Sequence, residues 1–406
     1  MRDVFKKILI VSPGILPVPD IKGGAVERLI TMIADQNEVN YQCDITIATI
    51  REKEAIKKQR GYKNTSFLNY GRTKNSKIIE LGSKIRWHLY HKFNVDFIIY
   101  DIYFFSLYLH ILFNRKKYDM IIVEGDCIMK MRLISHLVGK DKVCAHLHCN
   151  REASNDIETV YGNILTVSNH ILRTYRKSSH LPIERTITVF NGIETSTLKQ
   201  TVSDKEKKQL RDSLGLKNSD FVVLFCGRIV PQKGVKELIE AIIRLNNPTI
   251  KLLILGSSNF GLGDVGSYPQ HVKELVDKNQ ETIKFTGFIS NSQIYKYHQI
   301  SDIGVVPSTY EDPCPLSLFE MITSGLPTIA TRAGGMPEIG NEETTLFIPL
   351  ENISLQLSDG IKKLYQSIQL RKSMSSAALE RSKIFESQRF VSDFFMSVNS
   401  LVQLNK

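Results

Sequence analysis

Short apolar runs of strand length alternate with amphipathic helical stretches along almost the whole chain, and this alternation restricts the fold more than any other feature. It is typical of a mostly parallel β-sheet covered by helices on both faces. Strands are predicted at residues 7–11, 44–50, 120–123, 142–147, 163–167 and 186–190, and then at 221–225, 251–255, 282–285, 302–306, 328–330 and 346–348. We therefore predict an α/β fold with two Rossmann-like, doubly wound domains that face a cleft.

A polar stretch at residues 194–220 separates the two series of strands. Because 406 residues are expected to form two or three domains of about 150 residues, we place the domains at residues 1–195 and 196–387. An amphipathic helix over about residues 388–406 follows, and it is free to pack back on the first domain. Six cysteines without a CxxC pair favour a reducing compartment.

The net charge of +11 is concentrated in the first half, since residues 1–200 carry +10. Residues 51–92 hold twelve basic and three acidic residues, and ten aromatic residues lie between Trp87 and Phe113. This mixture favours contact with an anionic membrane surface, although some rings are expected to pack in the core. The apolar run at 97–113 is too short and too polar to span a bilayer. A nucleic-acid-binding protein is the alternative, but the second half is nearly neutral and has no recognised motif, so we expect no nucleic-acid partner.

Residues 226–234, Cys-Gly-Arg-Ile-Val-Pro-Gln-Lys-Gly, follow one predicted strand and open a predicted helix. The carboxyl end of a strand here brings two cations, Arg228 and Lys233, and two glycines to a helix N-terminus, which suits a phosphate or diphosphate. A Walker A loop is excluded, because no Lys-Ser or Lys-Thr follows the second glycine. A solvated turn is the alternative interpretation.

Two carboxylates, Asp312 and Glu320, stand eight residues apart around the start of another predicted helix. A loop that enters a helix can direct both toward one ligand, together with the free N–H groups of the first turn. The helix N-terminus stabilises the ionised carboxylate, which disfavours a general acid and suits the acceptance of hydrogen bonds from ligand hydroxyl groups. Helix caps or surface charges are the alternative.

Alternation along a first-domain strand puts Cys144, His146 and His148 on one face, which would permit a metal site. We favour no metal, because no second ligand cluster is visible, and we expect His146 to be a buried structural residue. The glycines at 261, 263 and 266 fit GxGxxG literally. They do not follow a strand directly, as a dinucleotide site requires, so we discount them.

Together the two motifs resemble the retaining nucleotide-sugar glycosyltransferases of family 4, which have the GT-B fold. The match covers most of the chain: Gly23-Gly24-Ala25-Val26-Glu27-Arg28 resembles the first glycine loop, Arg228 and Lys233 the diphosphate-binding cations, and Asp312 to Glu320 the acid-x7-acid signature. Weaker matches are Asn191-Gly192-Ile193, Gly325-Leu326-Pro327 and Gly334-Gly335. One departure is Asp312, where the family usually has Glu.

The resemblance implies a donor nucleotide in the second domain, an acceptor in the first, retention of configuration, and no metal or other cofactor. Arg228 and Lys233 would stabilise the leaving diphosphate, Glu320 would hold the ribose, and Asp312 the donor sugar. The other implied donor contacts are Gly24, Phe288, Ile289, Cys314, Pro315, Leu316 and Ser317. The residues expected on the acceptor side are Gly23, Glu27, His148 and Asn191, with His148 near the reacting sugar.

From the same resemblance we expect a UDP-sugar donor and a lipid-linked or polysaccharide acceptor, as in the assembly of capsule, exopolysaccharide or O-antigen. Such an enzyme would be cytoplasmic and peripheral on the inner face of the cell membrane. The alternative enzyme is a GT-B nucleotide-sugar epimerase, which releases its product without an acceptor.

Overall fold

The computed structural model describes residues 6–73, 75–93, 98–125, 128–257 and 266–405. These residues form two compact units, Met1–Phe190 with Phe390–Lys406 and Asn191–Arg389. The discounted glycine motif lies almost wholly outside the described residues, as do Lys74, Phe97 and the side chains of Tyr90 and Phe93.

The first unit is built on a seven-stranded parallel sheet in the order β3-β2-β1-β4-β5-β6-β7. Its strands are β1 (Lys7–Val11), β2 (Asp44–Ile50), β3 (Thr65–Tyr70), β4 (Met120–Glu124), β5 (Val143–Leu147), β6 (Asn163–Thr166) and β7 (Thr186–Thr188). Its helices are α1 (Ala25–Val39), α2 (Lys53–Gln59), α3 (Ser76–Phe93), α4 (Ile102–Asn114), α5 (Ile128–Val138), α6 (Asn155–Val160) and α7 (Asn169–Arg176). The central strands are buried on both faces, which explains their nearly continuous apolar sequences.

The second unit is a six-stranded parallel sheet in the order β10-β9-β8-β11-β12-β13. Its strands are β8 (Phe221–Cys226), β9 (Ile250–Leu255), β10 (Ile283–Gly287), β11 (Ile303–Val306), β12 (Thr328–Thr331) and β13 (Thr345–Ile348). Its helices are α8 (Thr195–Leu198), α9 (Asp204–Ser213), α10 (Val235–Leu245), α11 (Ser267–Lys278), α12 (Ile294–His298), α13 (Leu316–Thr323), α14 (Met336–Ile339), α15 (Ile353–Gln366) and α16 (Ile368–Arg381). Two apolar clusters, one on each face of the sheet, form its core.

The last helix, α17 (Ser387–Gln403), begins in the second unit and continues into the first. Its buried side chains pack with those of α1 and the central strands in one cluster of the first unit. From α17 this cluster contains Phe390, Val391, Phe394, Phe395, Val398, Leu401 and Val402. The C-terminal helix is therefore part of the first unit's core.

The α/β prediction of two Rossmann-like domains is confirmed. The sequence prediction missed the edge strand β3, whose sequence TSFLNY is mostly polar or aromatic and only partly buried. In the stretch expected to hold surface cations, Arg86 is buried. Of the aromatic residues, Tyr100, Tyr103 and Phe104 are buried, whereas Trp87 and Phe113 are exposed. No helix in the described ranges is long and apolar enough to cross a bilayer.

Candidate active site

The strand order of the second unit reverses between β8 and β11, which pair with each other. Chain connections leave to opposite sides at such a point, so a crevice opens at the carboxyl ends of the two strands, where ligands of doubly wound sheets bind. The loop at residues 227–234 follows β8 and the loop at 307–315 follows β11. The fold thus brings both sequence motifs to one edge of the sheet.

The loop after β8 needs glycine for steric reasons. Gly234 has a φ of +69° and lies so close to the next loop that a Cβ atom would be 1.8 Å from the carbonyl oxygen of Pro307. Residues Pro231–Lys233 form a short 3-10 turn just before it. This turn fixes the backbone of Lys233 beside the loop after β11.

Lys233 and Asp312 form an ion pair through Nζ and Oδ2, which joins the two motifs directly. Ser308 Oγ also donates to Asp312 Oδ2, at 3.0 Å, and Asp312 is buried. The ammonium of Lys233 lies 5.8 Å from the centre of the Tyr310 ring. Arg228, in contrast, is exposed and has no ion-pair partner in the described part of the chain.

Helix α13 begins directly after the acidic loop, with Pro315 at its N-cap and no side chain capping its first N–H groups. Leu316 and Ser317 therefore present backbone N–H groups at the carboxyl edge of the sheet. One turn further, Glu320 is buried. Gly335 N–H donates to the carbonyl oxygen of Asp312 at 2.9 Å and fixes the loop from the other side.

Asn191 and Cys314 lie together in the second unit, with Asn191 Nδ2 donating to Cys314 Sγ at 3.3 Å. The resemblance predicts Asn191 on the acceptor side, and in the structure it lies beside the acidic loop. Burial, and then the charge of Asp312, raise the pKa of the Cys314 thiol far above its usual range. Cys314 is therefore a thiol that accepts a hydrogen bond rather than a nucleophile.

Phe288 and Ile289 follow β10 at the same edge of the sheet, two strands away from β8. They differ in environment, because Phe288 is 43% exposed whereas Ile289 packs against the hydrophobic core. Only Phe288 is accessible enough to stack on a flat ligand. Two strand spacings put it about 10 Å from β8.

The first unit has its own reversal of strand order, between β1 and β4. Gly23 and Gly24 lie in the loop after β1, both with positive φ, and Gly24 caps α1. A Cβ atom on Gly24 would lie 2.3 Å from Oε2 of Glu27, so glycine lets this carboxyl group fold back over the helix start. Burial raises the pKa of Glu27 to about 7, against the opposing effect of hydrogen bonds from the backbone N–H groups of Glu27 and Leu16.

A cluster of Glu124, His146 and His148 lies at the ends of the neighbouring strands β4 and β5. Glu124 Oε2 is 2.7 Å from Nε2 of His148 and 3.0 Å from Nδ1 of His146, although this second contact lacks the alignment of a hydrogen bond. Burial alone would raise the pKa of Glu124, but the two imidazoles, His146 first, hold it well below its usual range. Sequence reasoning missed Glu124, and the signal that could have found it is its place at the end of the strand before the histidines.

The sequence interpretation that grouped Cys144 with the two histidines as possible metal ligands is corrected by this geometry. Cys144 is buried in the apolar core, and the third polar group beside the histidines is Glu124. The three groups offer atoms within 4.8 Å of one another. They do not fit an ion well, since Glu124 Oε2 and His148 Nε2 are 2.7 Å apart, a hydrogen-bond distance that leaves too little room for an ion between the two atoms.

Comparison with known proteins shows which proteins this chain is similar to. Residues 206–381 match the family described as Glycosyl transferases group 1. The chain is 24% identical over 342 residues to the spore coat protein SA of Bacillus subtilis, covering 83% of each chain. It is 25% identical over 347 residues to the lipopolysaccharide 1,2-N-acetylglucosaminetransferase of Salmonella typhimurium, covering 82% of each.

Solved structures agree on the fold. A glycosyltransferase from Rickettsia africae ESF-5 matches 99% of this chain and 100% of its own, with a TM-score of 0.75 and 16% identity. Anabaena HepE in complex with UDP-glucose matches 97% of this chain and 99% of its own, with a TM-score of 0.74 and 17% identity. The two sheets are those of a GT-B protein. The match to the group 1 glycosyltransferase family lies wholly within the second unit.

Proposed function

We propose that the chain is a retaining, metal-independent glycosyltransferase of family 4 that uses a UDP-sugar. Its acceptor is a lipid-linked or growing polysaccharide in surface-glycan assembly, at the inner face of the cell membrane. The observation that carries this proposal is the convergence of Arg228, the Lys233–Asp312 pair and the start of α13 at one reversal point of the second sheet. The UDP bound in the similar Anabaena structure supports the choice of nucleotide.

Each group has a defined part in this reaction. The bond between the sugar and the diphosphate breaks with its electron pair on the diphosphate, where Arg228, Lys233 and the N–H groups of α13 stabilise the growing charge. The acceptor oxygen bonds to the anomeric carbon on the face that the diphosphate leaves, and its proton passes to the diphosphate. Asp312 and the backbone of Cys314 to Ser317 hold the donor sugar, and Glu320 holds the ribose. Phe288 lies against the base, with Ile289 next to it and packed against the core. The acceptor binds in the first unit, where Gly23, Glu27 and His148 lie.

The donor site can be tested with two substitutions that should change UDP affinity in opposite directions. Arg228→Ala removes an exposed cation, so UDP binding measured by calorimetry should weaken about tenfold or more. Asp312→Asn releases Lys233 from its anionic partner, so UDP should bind more tightly while turnover falls, because the sugar loses a contact. Arg244→Ala, which removes another exposed cation from the same unit, is the matched control and should leave UDP affinity unchanged. Unchanged UDP affinity in both site variants would contradict the donor site.

Membrane contact is proposed at the outer face of helix α3. Ile78, Leu81 and Ile85 are exposed along one side of this helix, with Lys77 and Lys84 beside them. On α4, Phe113 is 82% exposed, and three basic residues, Arg115 to Lys117, follow Asn114 at the end of the helix. Apolar side chains flanked by cations suit the boundary between acyl chains and anionic headgroups.

The membrane proposal predicts that exposed apolar residues of α3 matter as much as charge. Leu81→Ser combined with Trp87→Ser should lower the fraction that sediments with anionic vesicles, with an apparent affinity loss of about tenfold or more. Ile183→Ser removes an equally exposed apolar residue elsewhere in the first unit and should have no effect. If the wild-type protein does not bind anionic vesicles at low salt, the membrane contact is refuted. The proposal for the donor site does not depend on this result.

A further inference from the structure

In the cluster of Glu124, His146 and His148, the side chain of His148 is partly exposed to solvent, whereas those of Glu124 and His146 are buried. Side-chain exposure is 13% for His148 and 1% for each of its neighbours. The rings of His146 and His148 lie 4.5 Å apart, and Phe394 of α17 covers His146 at 6.2 Å. A ligand at this edge of the sheet could therefore touch His148 but not the groups behind it.

The hydrogen bond between Glu124 and His148 determines which ring nitrogen carries the proton. An ionised carboxylate has only acceptor atoms, so Nε2 of His148, at 2.7 Å from Oε2, must be the donor. A neutral imidazole has one N–H, and Nδ1 of His148 is then left with a free lone pair. The second oxygen of Glu124 has no hydrogen-bond partner among the described residues, so the two imidazoles are the groups seen to compensate this buried charge.

We infer that Glu124 is a positioning residue that holds His148 as the Nε2–H tautomer, so that Nδ1 accepts a hydrogen bond from a hydroxyl group of a sugar. This inference rests on the proposed function for the identity of the ligand, but not for the state of the imidazole. His148 orients the hydroxyl and takes no proton from it. His146, which is fully buried, limits the space in which Glu124 can move.

The charges around His148 favour the neutral ring that this role requires. Burial, and then the neighbouring His146, lower the pKa of His148 below its usual value, while the Glu124 carboxylate opposes this effect. Among the described residues, the Glu27 carboxyl group on α1 and the Cys144 thiol also interact with the charge of Glu124. Protonation of Nδ1 would turn the acceptor into a donor, so binding of the hydroxyl should be lost on the acid side of this pKa.

The direct test is nitrogen NMR of the full-length protein labelled with 15N-histidine. His148→Gln assigns the His148 signals, and two-bond correlations show which of its nitrogens is protonated. At pH 7.5 we expect a neutral ring with the proton on Nε2. A ring protonated on Nδ1, or a charged ring, would overturn the inference in the wild-type protein alone, without any variant having to fold. Zinc or another ion co-purifying on these residues would overturn it too, because the ion would replace the Nε2 proton.

Variants of Glu124 then distinguish a role in positioning His148 from a purely structural role. Glu124→Gln keeps an acceptor oxygen but removes the charge, so the pKa of His148 should fall and the acid limb of the turnover profile should move to lower pH. Glu124→Leu removes the acceptor as well, so both tautomers should appear, and kcat should fall by about 100-fold because the hydroxyl is no longer held in position. UDP affinity, which reports on the second unit, should stay unchanged in both. An acid limb that does not move in Glu124→Gln would reduce Glu124 to a structural role.

The matched control is Glu158→Gln, another buried carboxylate of the first unit, which accepts from Ser179 Oγ and the backbone of His180. It should leave the His148 signals and the acid limb in place. Kinetics of Glu124→Leu show which substrate carries the hydroxyl group. A larger rise in KM for the acceptor than for the donor places the hydroxyl on the acceptor, and a larger rise for the donor places it on the donor sugar. If no nucleotide sugar turns over, the proposed function fails while the tautomer result stands on its own.

Discussion

Glu27 and Glu124 are buried carboxyl groups of the same unit whose pKa values move in opposite directions. Two imidazoles face Glu124 and keep it ionised, whereas Glu27 is buried at a helix start, where hydrogen bonds from backbone N–H groups oppose the effect of burial on its pKa. The repulsion from Asp20 and Glu124 adds to the rise at Glu27. Environment, rather than residue type, therefore decides which carboxyl group is charged at neutral pH.

Glu27 should make the stability of the protein depend on pH. Its pKa rises from 4.5 to about 7 on folding, so the folded state binds its proton more tightly, and the free energy of unfolding falls as pH rises from about 4.5 to about 7. This shift is worth about 3 kcal/mol at most above pH 7. Glu27→Gln, which cannot ionise, should therefore be more stable than the wild type at pH 8 and nearly equal to it at pH 4 in urea unfolding.

Glu54→Gln serves as the control for this measurement, because Glu54 is exposed in the first turn of α2. Its stability should stay within about 0.5 kcal/mol of the wild type at both pH values. A Glu27→Gln variant that gains nothing between pH 4 and pH 8 would show that Glu27 ionises freely.

At the residue scale, the sequence identified charged groups but not their partners. Arg228, Lys233, Asp312 and Glu320 stood out because each lies next to a predicted strand end or helix start. That Lys233 pairs with Asp312 could not be read from the sequence, since the two are 79 positions apart and meet only because β8 and β11 are neighbours. Their roles in binding remain predictions.

At the scale of single elements, the turn before α10 depends on one glycine. Gly234→Ala places a methyl group against the carbonyl oxygen of Pro307, and backbone cannot move aside as a flexible side chain can. We expect a loss of about 3 kcal/mol or more in the free energy of unfolding and weaker UDP binding, because Lys233 shifts with the turn. Urea unfolding and calorimetry measure the two effects.

Gly215→Ala isolates the contribution of backbone conformation, because Gly215 has a similar φ of +66° but only the end of the Lys284 side chain nearby. It should cost about 1–2 kcal/mol and leave UDP affinity alone. Equal effects of the two substitutions would mean that the close approach to Pro307 is unimportant.

Elements with a strong apolar pattern were predictable, and those defined by long-range pairing were not. The strands β1 and β2 lie where the pattern places them, because their own residues are buried. Strand β3 forms because it pairs with β2 along six residues. Its own sequence has no clear strand pattern. Tertiary context therefore decided the edge of the sheet.

At the scale of the whole molecule, α17 is expected to contribute strongly to the stability of the first unit. Phe394→Ala should lower that stability by about 3–5 kcal/mol, because the ring is fully buried in the cluster with α1 and the central strands. Hydrogen exchange of the first unit's strands measures the change. Met396→Ala, on the exposed side of the same helix, should change little. If Phe394→Ala lowered hydrogen-exchange protection only in the second unit, the assignment of α17 to the first unit would be contradicted.

The first unit is assembled from residues that are far apart in the chain, since Met1–Phe190 is completed by Phe390–Lys406. During synthesis the ribosome releases all of the second unit before α17 emerges. At ordinary rates of translation this takes about 10–40 s. Throughout that interval the apolar side chains of α1 that α17 later covers, such as Leu29 and Ile33, face water or a chaperone. The newly made first unit is therefore vulnerable to aggregation for longer than the second, although its chain is made first.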